Sequence, residues 1–284
     1  MESDGFVDSG DTPVAGAEAK VITIANQKGG VGKTTTAVSL AAALAQLPRR
    51  VLLIDLDPQG NASSGVGIRA HDAALTVYDI LLDDVPMEDV VEPTALRNLF
   101  LVPSNIDLAG AEIELVSAFN REQKLRHAVA SVREDFDLII VDCPPSLGLL
   151  TVNALTAADG VLVPIQCEYY ALEGLGALHQ NAELIRSNLN PNLDLTGYVL
   201  TMYDGRTRLS DQVVHEVIEY FGDRVFHTRI PRSVRLAEAP SYGQPITVFD
   251  PGSRGSVAYH RLARELVDRL DRAEHVTRAG GDPS

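Results

Sequence analysis

One stretch of the chain combines residue types and order suited to handling a polyphosphate: Asn26-Gln27-Lys28-Gly29-Gly30-Val31-Gly32-Lys33-Thr34-Thr35. It follows an apolar run at 21–25 and opens a helical pattern at 33–47, so it reads strand, glycine-rich turn, helix. Glycines let backbone N–H groups turn inward around phosphate oxygens, and the N-terminus of the following helix adds its dipole. In that frame the segment Lys28, Gly29, Gly30, Val31, Gly32 and Thr35 cradles phosphate, Lys33 reaches the β- and γ-phosphates, and the Thr34 hydroxyl ligates Mg2+. Two more carboxylate positions close apolar runs. Asp55 and Asp57 stand at i and i+2 on one side of a strand end, beside the expected phosphates. Taken alone, this pair has an alternative use as caps of the turn that follows. The run 138–142 ends in Asp142, the general pattern of a carboxylate that holds Mg2+ through water.

These residues require a scaffold that brings three strand ends together. Runs at 21–25, 51–55, 99–102, 138–142, 160–165 and 195–202 are short, rich in β-branched residues and little alternating. That is the pattern of parallel strands buried on both faces. Helical patterns at 33–47, 109–118, 122–133, 149–157, 172–188 and 210–220 separate them, which implies βαβ units with right-handed crossovers. The expected fold is α/β: a mostly parallel twisted sheet with helices on both faces, of the P-loop NTPase type. A single domain is expected over 20–274, between a disordered acidic tail at 1–19 and a disordered tail at 275–284. The last helix, expected at 255–272, sets Val257, Leu262, Leu266 and Leu270 mainly four apart, a stripe that docks on the domain. Its polar face mixes Arg261, Arg264 and Arg269 with Glu265, Asp268 and Asp271, whereas a membrane-surface helix is predominantly basic there. No stable membrane association is expected.

Composition narrows the class further. The 284 residues are 45% hydrophobic and 22% charged, ordinary values for a globular chain with a large core. No run approaches the length of a membrane-spanning helix. The first residues carry Glu2, Asp4, Asp8, Asp11 and Glu18, with no basic residue before Lys20 and no apolar core of a secretion signal. The expectation is a cytoplasmic protein. Cys143 and Cys167 are too few for a disulfide framework and read as small buried hydrophobes. The formal net charge of −15 argues at first sight against a nucleic-acid partner. The acid is concentrated, however, in the N-terminal tail and in Asp72, Asp79, Asp83, Asp84, Glu88, Asp89 and Glu92. Arg206 and Arg208, and Arg224, Arg229, Arg232 and Arg235, gather elsewhere and leave room for a local basic face.

The glycine-rich turn departs from the usual GxxxxGK[ST] pattern, because Gln27 stands where the first glycine belongs and Lys28 precedes the double glycine. In this KGGVGKTT resembles the deviant Walker A box of the ParA/MinD superfamily. The runs Asp142-Cys143-Pro144-Pro145-Ser146, Asp107-Leu108-Ala109-Gly110-Ala111-Glu112 and Gln166-Cys167-Glu168-Tyr169-Tyr170-Ala171 resemble ParA/Soj partitioning proteins specifically, and the likeness extends from Lys20 to about Leu270. The resemblance implies ATP and Mg2+ as cofactors and an ATP-dependent homodimer. It implies that Lys28 acts catalytically across the dimer on the partner's nucleotide, as an arginine finger does, worth roughly 10³–10⁵ in rate. By position it gives Asp57 the attacking water, places Asp55 nearer Mg2+, and sets Pro231 and Arg232 beside the adenine. Arg206 and Arg235 fall where the family contacts DNA without base readout, by neutralising phosphates; solvated surface arginines are the plain alternative.

The function so implied is a slow ATPase switch that binds non-specific DNA in its ATP form. A ParB-type partner stimulates it, and it associates with the nucleoid to partition a chromosome or plasmid. A sequence-reading helix-turn-helix ahead of the P-loop is not expected. Rival readings are a MinD-like ATPase cycling on a membrane, a ParA-like ATPase moving a protein cargo, and a reductase whose two cysteines share an iron–sulfur cluster across a dimer.

Overall fold

Residues 18–69, 73–169, 171 and 175–279 are described by a computed structural model. Residues 1–17 and 280–284 of the expected tails, Asp72, and positions 172–174 of the expected helix lie outside the described residues. Eight strands form one sheet: β1 (Lys20–Ile24), β2 (Val51–Asp55), β3 (Glu92–Pro93), β4 (Leu99–Val102), β5 (Leu138–Asp142), β6 (Gly160–Gln166), β7 (Asp194–Tyr203) and β8 (Val225–Pro231). Their spatial order is β3-β4-β2-β5-β1-β6-β7-β8, and every pairing is parallel except that of β3 with β4. The sheet is therefore the expected one.

Sequence explains the order of burial. Every residue of β2 and β5 is buried, as the unbroken runs VLLID and LIIVD require of central parallel strands. Two apolar cores cover the two faces. One packs helices Val77–Asp83, Lys124–Val132, Leu149–Ala157 and Leu175–Asn188 against the sheet; the other packs Lys33–Ala45 and Arg254–Ala279. Tyr259 is buried in the second core, its hydroxyl 3.2 Å from that of Thr36, which ties the last helix to the helix after the phosphate turn.

Several features were not read from sequence, the helix Val77–Asp83 among them. β3 is two residues long and ends in Pro93 on the sheet's outer edge, where a missing N–H costs nothing. β8, at the other edge, buries only Val225, Phe226 and Ile230 of VFHTRIP and so lacks the apolar run of the inner strands. Its edge is blunted by the last helix: the Glu265 carboxylate accepts the N–H groups of His227 and Thr228 at 2.7 and 3.0 Å. That helix runs to Ala279, beyond the expected end at 272, since no glycine or proline interrupts it before Gly280. At the other terminus order begins before Lys20: Ala19 is buried and its N–H donates to the Arg133 carbonyl at 2.9 Å. Cys143 and Cys167 are both buried in the core, as small hydrophobes are.

Candidate nucleotide site

β1 lies between β5 and β6, while the chain runs from β1 out to β2 and later crosses back from β5 to β6. A reversal of this kind opens a crevice outside the carboxyl ends of the strands. The phosphate turn leaves β1 into that crevice. Gly30 and Gly32 take φ of 74° and 87°, a left-handed conformation that disfavours residues with a side chain. Gly32 is the N-cap of helix Lys33–Ala45 and offers no side-chain acceptor, so the helix's first N–H groups are left for a ligand. The turn is pegged on both sides. The Asn26 amide donates to the Pro164 carbonyl of β6 at 2.8 Å and accepts the Lys28 N–H at 2.9 Å. From β7, the Thr201 hydroxyl donates to the Val31 carbonyl at 2.8 Å.

The two lysines differ in setting. Lys33 is 6% exposed and its Nζ crosses the turn to donate to the Lys28 carbonyl at 3.1 Å. Burial lowers its pKa, and the nearby Asp142 and Asp57 partly offset this. Lys28 stands half-buried at the rim. Lys33 is thus held inside the turn by its own chain, whereas Lys28 keeps part of its surface open to solvent.

Asp55 and Asp142 face each other in register at the ends of β2 and β5, both fully buried. They differ in what holds them. Asp55 Oδ1 accepts the Asp57 N–H at 3.2 Å, and Oδ2 accepts both the N–H and the hydroxyl of Ser63 at 2.7 Å. Burial nevertheless pushes its carboxyl up to about 6, the bonds from Ser63 limiting the rise. Both oxygens of Asp142 are buried with no hydrogen-bond partner. Burial, then the neighbouring Asp55 charge, raise its pKa well above the usual carboxylate range. The Thr34 hydroxyl and Lys33 pull it back, the hydroxyl close by but outside hydrogen-bond geometry. A buried carboxylate with no donor is costly unless a cation completes it.

Among the described residues no group of three or more His, Cys, Asp or Glu is arranged to hold a metal ion by itself. That suits Mg2+, which keeps waters and takes one or two carboxylates plus substrate phosphates. Asp142 and Thr34 fit such an ion, and the open helix N-terminus with Lys33 fits the phosphates. Asp55, also expected near the metal, already accepts hydrogen bonds from Ser63 at the start of helix Asn61–Gly65.

Asp57 is 8% exposed and its Oδ1 accepts the Gln59 N–H at 2.9 Å. Its carbonyl accepts the Ser104 hydroxyl at 2.8 Å, and the Ser104 N–H donates to Ser63 Oγ at 3.1 Å. Ser63 and Ser104 therefore lock the two aspartates of this segment together. Neither was singled out from sequence; the available signals were a serine in the first turn after Asp57-Pro58-Gln59-Gly60, and one just past the end of β4.

Pro231 and Arg232 reach the turn from the opposite side. With Gly32, Thr35, Thr201 and Tyr259 they line a pocket of about 220 Å³. The Arg232 N–H donates to the Tyr203 carbonyl at 2.9 Å and its Nη2 to Glu168 Oε1 at 2.5 Å. Arg206 and Arg235 are not among these groups. They lie past the carboxyl ends of β7 and β8, two and three strands out from β1 on the same rim, and both are exposed.

Comparison with known proteins agrees with this geometry. A family profile described as an AAA domain matches residues 19–195. The sporulation initiation inhibitor protein Soj of Bacillus subtilis is 56% identical over 87% of this chain and 98% of its own. The chromosome partitioning protein ParA of Myxococcus xanthus is 54% identical over 88% of each chain. Among solved structures, one described as cobyrinic acid a,c-diamide synthase from Mycobacterium smegmatis, with bound ADP and magnesium, is 40% identical. It superposes with a TM-score of 0.79 over 89% of this chain and 96% of its own.

Proposed function

The chain belongs to the ParA/Soj family of deviant Walker A ATPases, and from that premise we propose that it is a nucleotide-switched dimer that binds non-specific DNA and partitions a replicon with a ParB-type partner. The observation that carries the nucleotide half is the juxtaposition of an uncapped helix N-terminus, Lys33 and the unpartnered Asp142 carboxylate at one crevice. In this reading ATP lies along the turn from Lys28 to Thr35, with its base toward Pro231 and Arg232. The Thr34 hydroxyl and Asp142 would hold Mg2+, which would supply neutralisation of phosphate charge there. Backbone N–H groups at the start of helix Lys33–Ala45 and the Lys33 ammonium bind the phosphate oxygens. Asp57 orients the attacking water and takes its proton, held at the mouth by the Ser104 and Gln59 contacts to its own segment. Asp55 positions rather than ligates, by fixing Ser63 and the Asp57 backbone.

Lys28 supplies the link between nucleotide and dimer. Half-buried at the rim, it reaches the nucleotide of a facing subunit, so hydrolysis requires two chains. The closed dimer then presents Arg206 and Arg235 of both subunits to one duplex. Basal turnover is slow, since the product is a timed release rather than chemistry. Partition is favoured over cargo transport because the Myxococcus xanthus relative, 54% identical, is named a chromosome partitioning protein. The protein acts in the cytoplasm on the nucleoid; among the described residues no helix is long and apolar enough to cross a membrane.

A subunit-mixing experiment tests the dimeric site. Lys28→Ala and Asp57→Ala proteins are each inactive in hydrolysis. Mixed one to one, half the dimers are hybrid, and one of the two sites in each hybrid has its own Asp57 and the partner's Lys28. Recovery of about a quarter of wild-type turnover is expected from that symmetry. No recovery would place Lys28 on its own subunit's nucleotide.

A further inference from the structure

Both arginines assigned to DNA are already engaged by carboxylates of their own chain. Arg206, with 89% of its side chain exposed, donates from Nε to Asp204 Oδ1 at 2.8 Å and from Nη2 to Asp204 Oδ2 at 2.7 Å. Its N–H also donates to Oδ1 at 3.1 Å. Asp204 is the fixed partner: its side chain is 20% exposed, and its carbonyl accepts the N–H and hydroxyl of Thr207 at 3.0 Å. The adjoining guanidinium holds its carboxyl down to about 2, so it stays ionised at any working pH. At the second position Arg235 lies 3.2 Å from Glu238 Oε2 and 3.3 Å from Asp250 Oδ2. Two arginines thus meet three carboxylates, so neither offers an unopposed positive charge. The overall net charge of −15 does not repair this.

We propose that Asp204 is an intramolecular brake on DNA binding: its carboxylate occupies Arg206 in the place of a phosphate and repels a phosphate that joins it. Glu238 acts in the same way on Arg235. The proposal rests on the reading of Arg206 and Arg235 as DNA contacts. An exposed ion pair contributes little stability, so a phosphate competes with it at small cost. What remains is repulsion between two anions that share one guanidinium, about 6 Å apart, which in water weakens binding about threefold per subunit. A two-fold dimer presents the pair twice, so the penalty compounds to about tenfold. The consequence is a threshold. One subunit with compensated arginines does not hold a duplex, and two held side by side do, which leaves control with the nucleotide.

Asp204→Asn tests this, because the amide oxygen retains the acceptor for the Arg206 N–H and the turn persists. Binding of the full-length, ATP-loaded protein to a duplex of arbitrary sequence is measured across a salt series, with Arg206→Ala alongside. Asp204→Asn is expected to bind about tenfold tighter, with a steeper dependence on salt and unchanged hydrolysis in the absence of DNA. Glu238→Gln, on a separate helix, is expected to shift binding in the same direction. If Arg206→Ala weakens binding while Asp204→Asn is unchanged or weaker, Asp204 orients Arg206 and the brake is overturned, with the DNA face intact. If Arg206→Ala binds like wild type, the DNA face itself is misplaced and the brake falls with it.

Discussion

Asp142→Asn isolates the role of a fully buried carboxylate neither of whose oxygens has a donor. In the nucleotide-free protein both its oxygens are shut away from water and face the Asp55 carboxylate. An unsatisfied buried group of this kind costs about 1–3 kcal/mol, more when charged. Where the carboxyl is ionised, removing its charge is therefore expected to stabilise the empty protein by about 1–3 kcal/mol, or about 2–6 °C in Tm for a chain of this size. The opposite holds once nucleotide binds. At a hundredfold excess over Kd, Mg2+ and ATP stabilise the wild type by about 2.7 kcal/mol, and most of the magnesium-dependent part should vanish in the variant. The assay is thermal unfolding with no ligand, with ATP and chelator, and with ATP and Mg2+. As the pH falls the advantage of the empty variant shrinks, because the carboxyl that burial and the Asp55 charge raise takes up its proton. A variant that melts below the empty wild type yet keeps the full Mg2+-dependent gain would refute the reasoning, and Asp142 would then be a structural group.

The same carboxylates set the pH dependence of the empty protein. Asp55 is raised by burial from 3.8 to about 6, and Asp142 moves in the same direction, so the folded state binds more protons than the unfolded across this window. Stability is thus greatest below it and falls as pH rises through it, by about 3 kcal/mol for Asp55 alone; denaturant midpoints at pH 5 and 7.5 in chelator check the sign. Asp57→Ala is expected to lower hydrolysis by about 10²–10⁴ while ATP-dependent dimerisation persists, measured by turnover and by light scattering. Gly197→Ala probes the fold away from the site: Gly197 has φ of 149°, and an added Cβ would stand 2.4 Å from the Arg224 carbonyl. A loss of about 2–4 kcal/mol is expected from the strain and the clash together, read as a lower denaturant midpoint with nucleotide affinity unchanged.

How much of this was legible in the sequence depends on whether a residue's role is local. β2, β4 and β5 matched their apolar runs residue for residue, because a strand buried on both faces is marked by its own side chains. β8 was missed because half of it faces outward, and its edge is completed by Glu265 from a helix almost forty residues away. The turn from Lys28 to Thr35 was readable since glycine, lysine and hydroxyl must follow one another for phosphate to fit. The division of labour between Asp55 and Asp142 was not readable. Both end apolar strands, and only the Ser63 and Ser104 contacts, made through tertiary packing, show that one carboxylate is satisfied and the other is not. The arginine pattern was half visible. Their clustering stood out, while the carboxylates that hold them come from neighbouring turns and from Asp250, fifteen residues along.

The most direct test of the nucleotide switch is binding of a non-specific duplex by wild-type and Asp57→Ala protein with no nucleotide, with ADP and with ATP, alongside the mass of the protein in each state. The expected result is a monomer that ignores DNA without nucleotide or with ADP. With ATP it becomes a dimer that binds in a salt-sensitive way, and the Asp57→Ala dimer persists longer. A protein that dimerises with ATP and still leaves the duplex free would contradict the partition reading and turn attention to a protein or membrane cargo.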